Sequence, residues 1–207
     1  MKSKYQKIKG TFDILPPNTQ LWREVEDILH NISQQFSYEE IRTPALESIH
    51  LFKQNVGYET DVSKEMFEWE DLSSQHIALK PEMTAPVVRA YIEGGFFRSN
   101  PLCRLYYIDS FFRREKPQKG RQRQFHQFGI EAFGSSNIEQ DIEVILLAKT
   151  SLNALKINET VLHVNNIGSP DTRKKYERIL KKYFEQHLNV LSGLSQKRLD
   201  TNPLRIL

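Results

Sequence analysis

The stretch Leu102 to Gly134, LCRLYYIDSFFRREKPQKGRQRQFHQFGIEAFG, constrains the fold of this chain more than any other. Two apolar and aromatic runs flank a basic segment, the pattern of two antiparallel strands joined as a hairpin. The spacing puts the connecting loop at Lys116 to Gln122, longer than the roughly 2 to 5 residues usual for hairpins, and long loops in compact domains tend to carry function. Arg113, Arg114, Lys116, Lys119, Arg121 and Arg123 crowd this segment, with Glu115 the only acid among them. Such a density of cations suits a polyanion, either nucleotide phosphates or a nucleic-acid backbone. The plain alternative is a solvated loop.

The order of the residues carries more than their charge. Phe112-Arg113-Arg114-Glu115 resembles motif 2 of the class II aminoacyl-tRNA synthetases, in which a strand ending in Phe-Arg-x-Glu leads through a loop to a returning strand. More narrowly, RREKPQKGRQRQFHQFGIEAFG is similar to the histidyl-tRNA synthetase form of that motif. An Arg-x-Glu match alone is weak. Some twenty residues in register are not.

At 207 residues the chain can bury roughly 70 per cent of its unfolded surface as one sizeable domain. Its 29 basic and 26 acidic residues leave only +3, so basicity is local to the hairpin and the later helices. The single Cys103 cannot form an internal disulfide and lacks partners for a zinc site, which fits a reducing compartment. No long apolar run and no secretory h-region is present in the sequence, so a cytoplasmic protein without a membrane span is expected.

In chain order, Lys9 to Pro17 reads as a Gly- and Pro-punctuated loop. It also resembles the Arg-Gly-Thr-x-Asp-x-Leu-Pro opening of the family, with Lys9 in place of Arg, which keeps the charge and loses the planar fork. Leu21, Trp22, Val25, Ile28, Leu29, Ile32 and Phe36 predict an amphipathic helix over 19–36. Tyr38 to Glu47 predicts a short edge strand around Pro44. This segment resembles class II motif 1, and the resemblance implies a homodimer with Pro44 at its interface. Beyond Leu51-Phe52 and Gly57, alternation of Met66, Phe67 and Trp69 with acids predicts a strand with one buried face. A strand through Ile77 stops at Pro81, and a helix with Pro86 in its first turn follows. Glu82 and Thr84 thus fall at a strand-to-helix junction, where backbone N–H groups are free. There Thr84 could simply cap the helix.

Past the hairpin, Asn137 with Gln140 signals a helix start, and Ile142, Ile145, Leu146, Lys149 and Leu152 carry it to about Leu155. Val161 to Gly168 predicts a strand ending at a Gly turn. Ser169-Pro170 opens a further helix, cap and first position, with apolar residues at Tyr176, Ile179, Leu180, Tyr183, Phe184 and Leu188. The pattern is α+β: a mainly antiparallel, class II synthetase-like sheet flanked by helices.

The resemblance implies specific chemistry. Amino-acid activation brings a carboxylate to the α-phosphate of ATP, so two anions must be held together and the developing charge stabilised. An arginine fork suits this, since it binds phosphate in a bidentate way. By resemblance Arg113 is the catalytic arginine on the α-phosphate, and Glu115 contacts the adenine amino group. Pro81-Glu82-Met83-Thr84 matches the family element that holds the amino group of histidine. Gln127 and Glu131 differ by four and share a strand face, with His126 and Phe128 on the other. Without the family they could be a polar face toward solvent; within it, Gln127 contacts histidine and Glu131 receives its imidazole N–H. Lys119, Arg121 and Arg123 would touch tRNA(His) or the outer phosphates. His126 has no second ligand at metal-binding spacing, and neither a Walker A loop nor G-x-G-x-x-G occurs. Magnesium is expected to ride on the ATP phosphates.

The end, Arg198 to Leu207, matches the family's Thr-Asn-Pro-Leu-Arg-x-Leu element. The resemblance therefore implies that 1–207 is the N-terminal portion of a catalytic domain, truncated before motif 3 and the anticodon-binding domain, and not competent alone. A sheet edge and apolar surface would be left uncovered. The rivals are a synthetase-like regulatory subunit of ATP phosphoribosyltransferase and a stand-alone RNA-binding module. Retention of Arg113, Glu115, Gln127 and Glu131 argues against the first; Glu82 and Glu131 facing one cleft argue against the second.

Overall fold

The computed structural model describes residues 5–56, 65–166 and 168–207. They fall into two compact units, Met1–Asn158 and Glu159–Leu207. The hairpin dominates the first. Strands β5 (Cys103–Phe112) and β6 (Gln124–Phe133) pair antiparallel over ten residues each, with Glu131 opposite Leu105, Gly129 opposite Tyr107 and Gln127 opposite Asp109. The strands end at Phe112 and resume at Gln124, so the loop is longer at both ends than its spacing suggests. A short parallel strand β1 (Glu39–Glu40) lies on the far side of β5, which leaves β6 as an edge.

Helices pack on both faces of the hairpin, because each face carries apolar positions. Behind it, helices α1 (Asn18–Gln35) and α5 (Ile138–Ala154) contribute Ile32 and Leu147 to a core with Tyr38 and Tyr106, and Phe128 and Ile130 pack against it. Each helix also buries a serine, Ser33 and Ser151, whose hydroxyl donates to the carbonyl four residues back. In front, helix α3 (Thr84–Glu93) sets Val87, with Met83 just before it, against Cys103, Leu105, Tyr107 and Phe111. A second sheet orders β2 (Leu46–Ser48), β4 (His76–Leu79) and β3 (Glu68–Glu70) antiparallel. With helix α2 (Ile49–Val56) it encloses Ile49, Phe52, Met66, Ala78 and Ala85. Helix α4 (Phe96–Ser99) leads into β5.

The second unit holds helices α6 (Pro170–Glu185) and α7 (Gly193–Thr201) around Leu180, Phe184 and Leu199. Ser169 caps α6 by accepting from the Thr172 N–H, with Pro170 at the first position, as the sequence predicts.

Four expectations need correction. Among the described residues no strand forms over 161–166: Val161, Leu162 and Val164 are exposed and nothing pairs with them. A lone strand has no ladder to satisfy its backbone. Helix α5 buries Leu147 and Ser151, not the stripe through Ile142 and Leu146, both about half exposed. Asn137 precedes that helix without a side-chain cap bond, and Gln140 instead donates to Tyr38 and Glu143. Met66 is buried while Trp69 is exposed, because β3 is the edge of its sheet. The α+β class with mainly antiparallel pairing stands, the strands falling among the described residues into two three-stranded sheets; Gly57 lies outside those residues.

Candidate functional site

The hairpin mouth is closed by Arg113, whose backbone N–H donates to the Arg123 carbonyl at 2.9 Å. The Arg113 side chain lies over the Phe125 ring, 5.0 Å from its centroid, and its Nε donates to the Pro81 carbonyl at 3.0 Å. One nitrogen of the fork is thereby used to hold the group. Its terminal nitrogens stand at a cleft of about 570 Å³ lined by Glu65, Glu115, Arg121, Gln122 and Gln127.

Glu115 is the other fixed group here, its side chain only 12% exposed. Its carboxylate accepts from Arg121 at 3.2 Å and lies 4.0 Å from the Arg113 Nη1. Arg123 turns inward, Nε to the Glu115 carbonyl at 3.4 Å, while Lys119 is exposed. The loop cations thus differ in situation although sequence spacing presents them alike.

At the strand-to-helix junction the geometry departs from a simple threonine cap. Glu82 caps α3 instead, its carboxylate accepting from the N–H groups of Thr84 (2.8 Å) and Ala85 (3.1 Å). This frees the Thr84 hydroxyl, which donates to Glu131 Oε1 at 2.7 Å. Burial holds both carboxyls above the usual carboxylate range; for Glu131 the charge of Glu82 adds to it and the Thr84 bond opposes it. Tyr107, on the same sheet face, is pushed up to about 12, by burial first and then by Glu131 and Glu82. Met83 contributes no side chain to this group: it is 1% exposed in the core, with its sulfur accepting from the Thr43 hydroxyl at 3.3 Å. Gln127 is exposed on the face shared with Glu131, about 13 Å away along the strand. Pro44 is exposed between β1 and β2.

Sequence reasoning missed Lys80. Its side chain is 1% exposed, and Nζ donates to Asp109 Oδ2 at 2.5 Å and to the Thr43 carbonyl at 3.1 Å. Its backbone joins the two sheets, N–H to the Ala45 carbonyl and carbonyl from the Phe112 N–H. The available signal was a lysine closing the apolar run Ile77-Ala78-Leu79 directly before a proline. A buried lysine requires a paired anion.

Chemically, the arrangement offers a guanidinium for an anion at one end. At the other, two carboxylates drawn toward the neutral form suit an ammonium or a ring N–H. Among the described residues no group of three or more His, Cys, Asp or Glu side chains is placed to hold a metal ion.

Similarity to known proteins follows the same lines. A family model described as Histidyl-tRNA synthetase matches residues 10–172. The histidine–tRNA ligase of Streptococcus agalactiae is 44% identical over 99% of this chain and 49% of its own length. That of Streptococcus pyogenes is 45% identical over the same shares. The chain spans about half the length of the curated relatives it matches. The crystal structure of apo Staphylococcus aureus histidyl-tRNA synthetase superposes with a TM-score of 0.76 at 35% identity, covering 98% of this chain and 48% of that one. A Bacillus halodurans structure described as an ATP phosphoribosyltransferase regulatory subunit/histidyl-tRNA synthetase has a TM-score of 0.69 at 24% identity, covering 96% and 55%, and shows the shared fold alone. With a model match over most of its length and relatives identical at nearly half their aligned positions, the chain belongs to the histidyl-tRNA synthetase family.

Proposed function

We propose that 1–207 is the N-terminal portion of the catalytic domain of a histidine–tRNA ligase, which activates histidine with ATP and transfers it to tRNA(His). The observation that carries this reading is the Glu82, Thr84 and Glu131 group on the sheet that also presents Arg113. Glu82 and the Thr84 hydroxyl take the amino group of histidine, Glu131 its imidazole N–H, and Gln127 a further polar contact; Met83 acts through its backbone. Arg113 binds the α-phosphate and stabilises the charge that grows there as the histidine carboxylate attacks and pyrophosphate leaves. Glu115 takes the adenine amino group. Arg121 and Arg123 lie on the phosphate side, and Lys119, at the loop tip, reaches for tRNA. Magnesium arrives with the triphosphate, and no step is assigned to it. Pro44 and its neighbours form a homodimer interface, and the protein works in the cytoplasm.

The regulatory-subunit reading rests on the Bacillus halodurans likeness and is weaker, because Arg113, Glu115, Gln127 and Glu131 are all retained. Titration calorimetry of histidine into the protein, with and without ATP, tests the proposal. Losing the Glu131 carboxylate in Glu131→Ala is expected to weaken histidine binding by about 10- to 150-fold, the value of one hydrogen bond to a charged group. Unchanged affinity in that variant, or absence of histidine-dependent ATP–pyrophosphate exchange at the protein's natural length, would reject it.

A further inference from the structure

The segment before α1 reads in the sequence as an ordinary loop, yet the structure gives it a definite attachment. Residues 8–11 form a turn closed by the Thr11 N–H (3.1 Å) and hydroxyl (2.8 Å), both donating to the Ile8 carbonyl. At its apex Gly10 adopts φ +90, a left-handed conformation that a side chain disfavours. This turns the Gly10 carbonyl toward the root of the hairpin loop, where it accepts from the N–H groups of Arg123 (2.6 Å) and Gln124 (3.4 Å). Those donors stand at the start of β6, which among the described residues pairs with β5 alone.

We propose that residues 8–11 are a strap that positions the nucleotide end of the site, with Gly10 as its positioning residue. This rests on the ligase reading above. The attachment passes through Arg123 to both groups that reading assigns to ATP. The Arg123 carbonyl accepts the Arg113 N–H at 2.9 Å, and its Nε reaches the Glu115 carbonyl at 3.4 Å. Contact at Gly10 is close on the side-chain side too. A Cβ there would lie 2.9 Å from Cγ of Arg123 and 2.9 Å from Cγ of Pro117, on the opposite arm of the loop. Any side chain at position 10 therefore pushes the two arms apart. Of the groups that the ligase reading assigns to histidine, Glu131 lies eight residues along β6 from Arg123, about 27 Å in an extended strand, and Gln127 four, about 13 Å.

That separation gives the strap a selective signature. In the protein at its natural length, Gly10→Ala is expected to raise the KM for ATP in pyrophosphate exchange about tenfold while the KM for histidine stays within about twofold. Hydrogen exchange at the Arg123 and Gln124 amides should quicken in the same variant. Thr11→Val, which removes the hydroxyl that closes the turn and keeps the side-chain shape, should move the same quantities less far, and it decides the matter should Gly10→Ala fail to fold. An unchanged KM for ATP overturns the inference alone. So does an equal rise in both KM values, which would mean general loosening. Absence of exchange in the unsubstituted protein overturns the ligase reading and the strap with it.

Discussion

At single-residue scale, the proposed histidine contact Glu131 sets binding against stability. Its carboxyl is held above its ordinary range by burial, so the folded state binds its proton more tightly than the unfolded chain does. Stability from this group is therefore fully present below the unfolded carboxylate range and declines as pH rises through the window up to the raised value. Glu131→Gln removes that ionisation while keeping an oxygen for the Thr84 hydroxyl. It is expected to raise the melting temperature at pH 7, to lose the advantage at pH 4, and to bind histidine more weakly at both. A melting temperature unchanged between the two proteins at pH 7 would contradict the burial argument. Lys80 and Asp109 make the converse case, since only one of the pair is deeply buried: 1% against 28% side-chain exposure. Asp109→Asn strands an ammonium in the interior and should cost about 3 to 5 kcal/mol, the usual penalty for breaking a buried pair from one side. Lys80→Met leaves a carboxylate that water can reach, so it should cost less. Urea unfolding of the two variants measures the order, and the reverse order would show that Thr43 alone suffices to hold the lysine.

At the scale of elements, the parts legible in the sequence are those whose signal is local. The hairpin, the helix through Leu29 and Ile32, and the Ser169-Pro170 helix start carry their own periodicity or cap, and the structure has them close to the expected bounds. Glu82, Thr84 and Glu131 were legible as candidates by resemblance, but their linkage was not, because it depends on Glu82 taking the capping bonds and releasing the Thr84 hydroxyl. Which face of α5 turns inward depends on packing against the back of the sheet and α1, so the stripe through Ile142 and Leu146 misled. Val161 to Gly168 has strand composition, yet among the described residues it finds no partner, and composition cannot supply one. Gly129 belongs to the same class of hidden constraint. It faces Tyr107 across the ladder so closely that an added Cβ would overlap the phenol ring. Gly129→Ala must displace a side chain that is 8% exposed in the front core, at a cost of about 1 to 3 kcal/mol as for other overpacked sites. A variant as stable as the parent in urea would mean that Tyr107 has a second rotamer free of strain.

For the whole molecule, the core is divided as the chain is. Three clusters of buried side chains lie within Met1–Asn158, built on two sheets and the helices that cover them. Glu159–Leu207 relies on one, in which Leu180, Phe184 and Leu199 are the buried members. A segment of roughly fifty residues sits near the size at which a single core ceases to offset chain entropy unaided. Helix α6 is also rich in exposed lysine, which adds charge to the surface without adding to that core. The two units are therefore expected to differ in independence. A chain ending at Asn158 should keep its β signal in circular dichroism and unfold cooperatively, since the site-bearing hairpin and both layers that cover it are intact. The isolated segment 159–207 should show only fractional helicity and a broad, weakly cooperative melt. Cooperative unfolding of the isolated segment would mean that its small core suffices. Collapse of the chain ending at Asn158 would mean that the cores enclosing the candidate site depend on residues beyond their own unit.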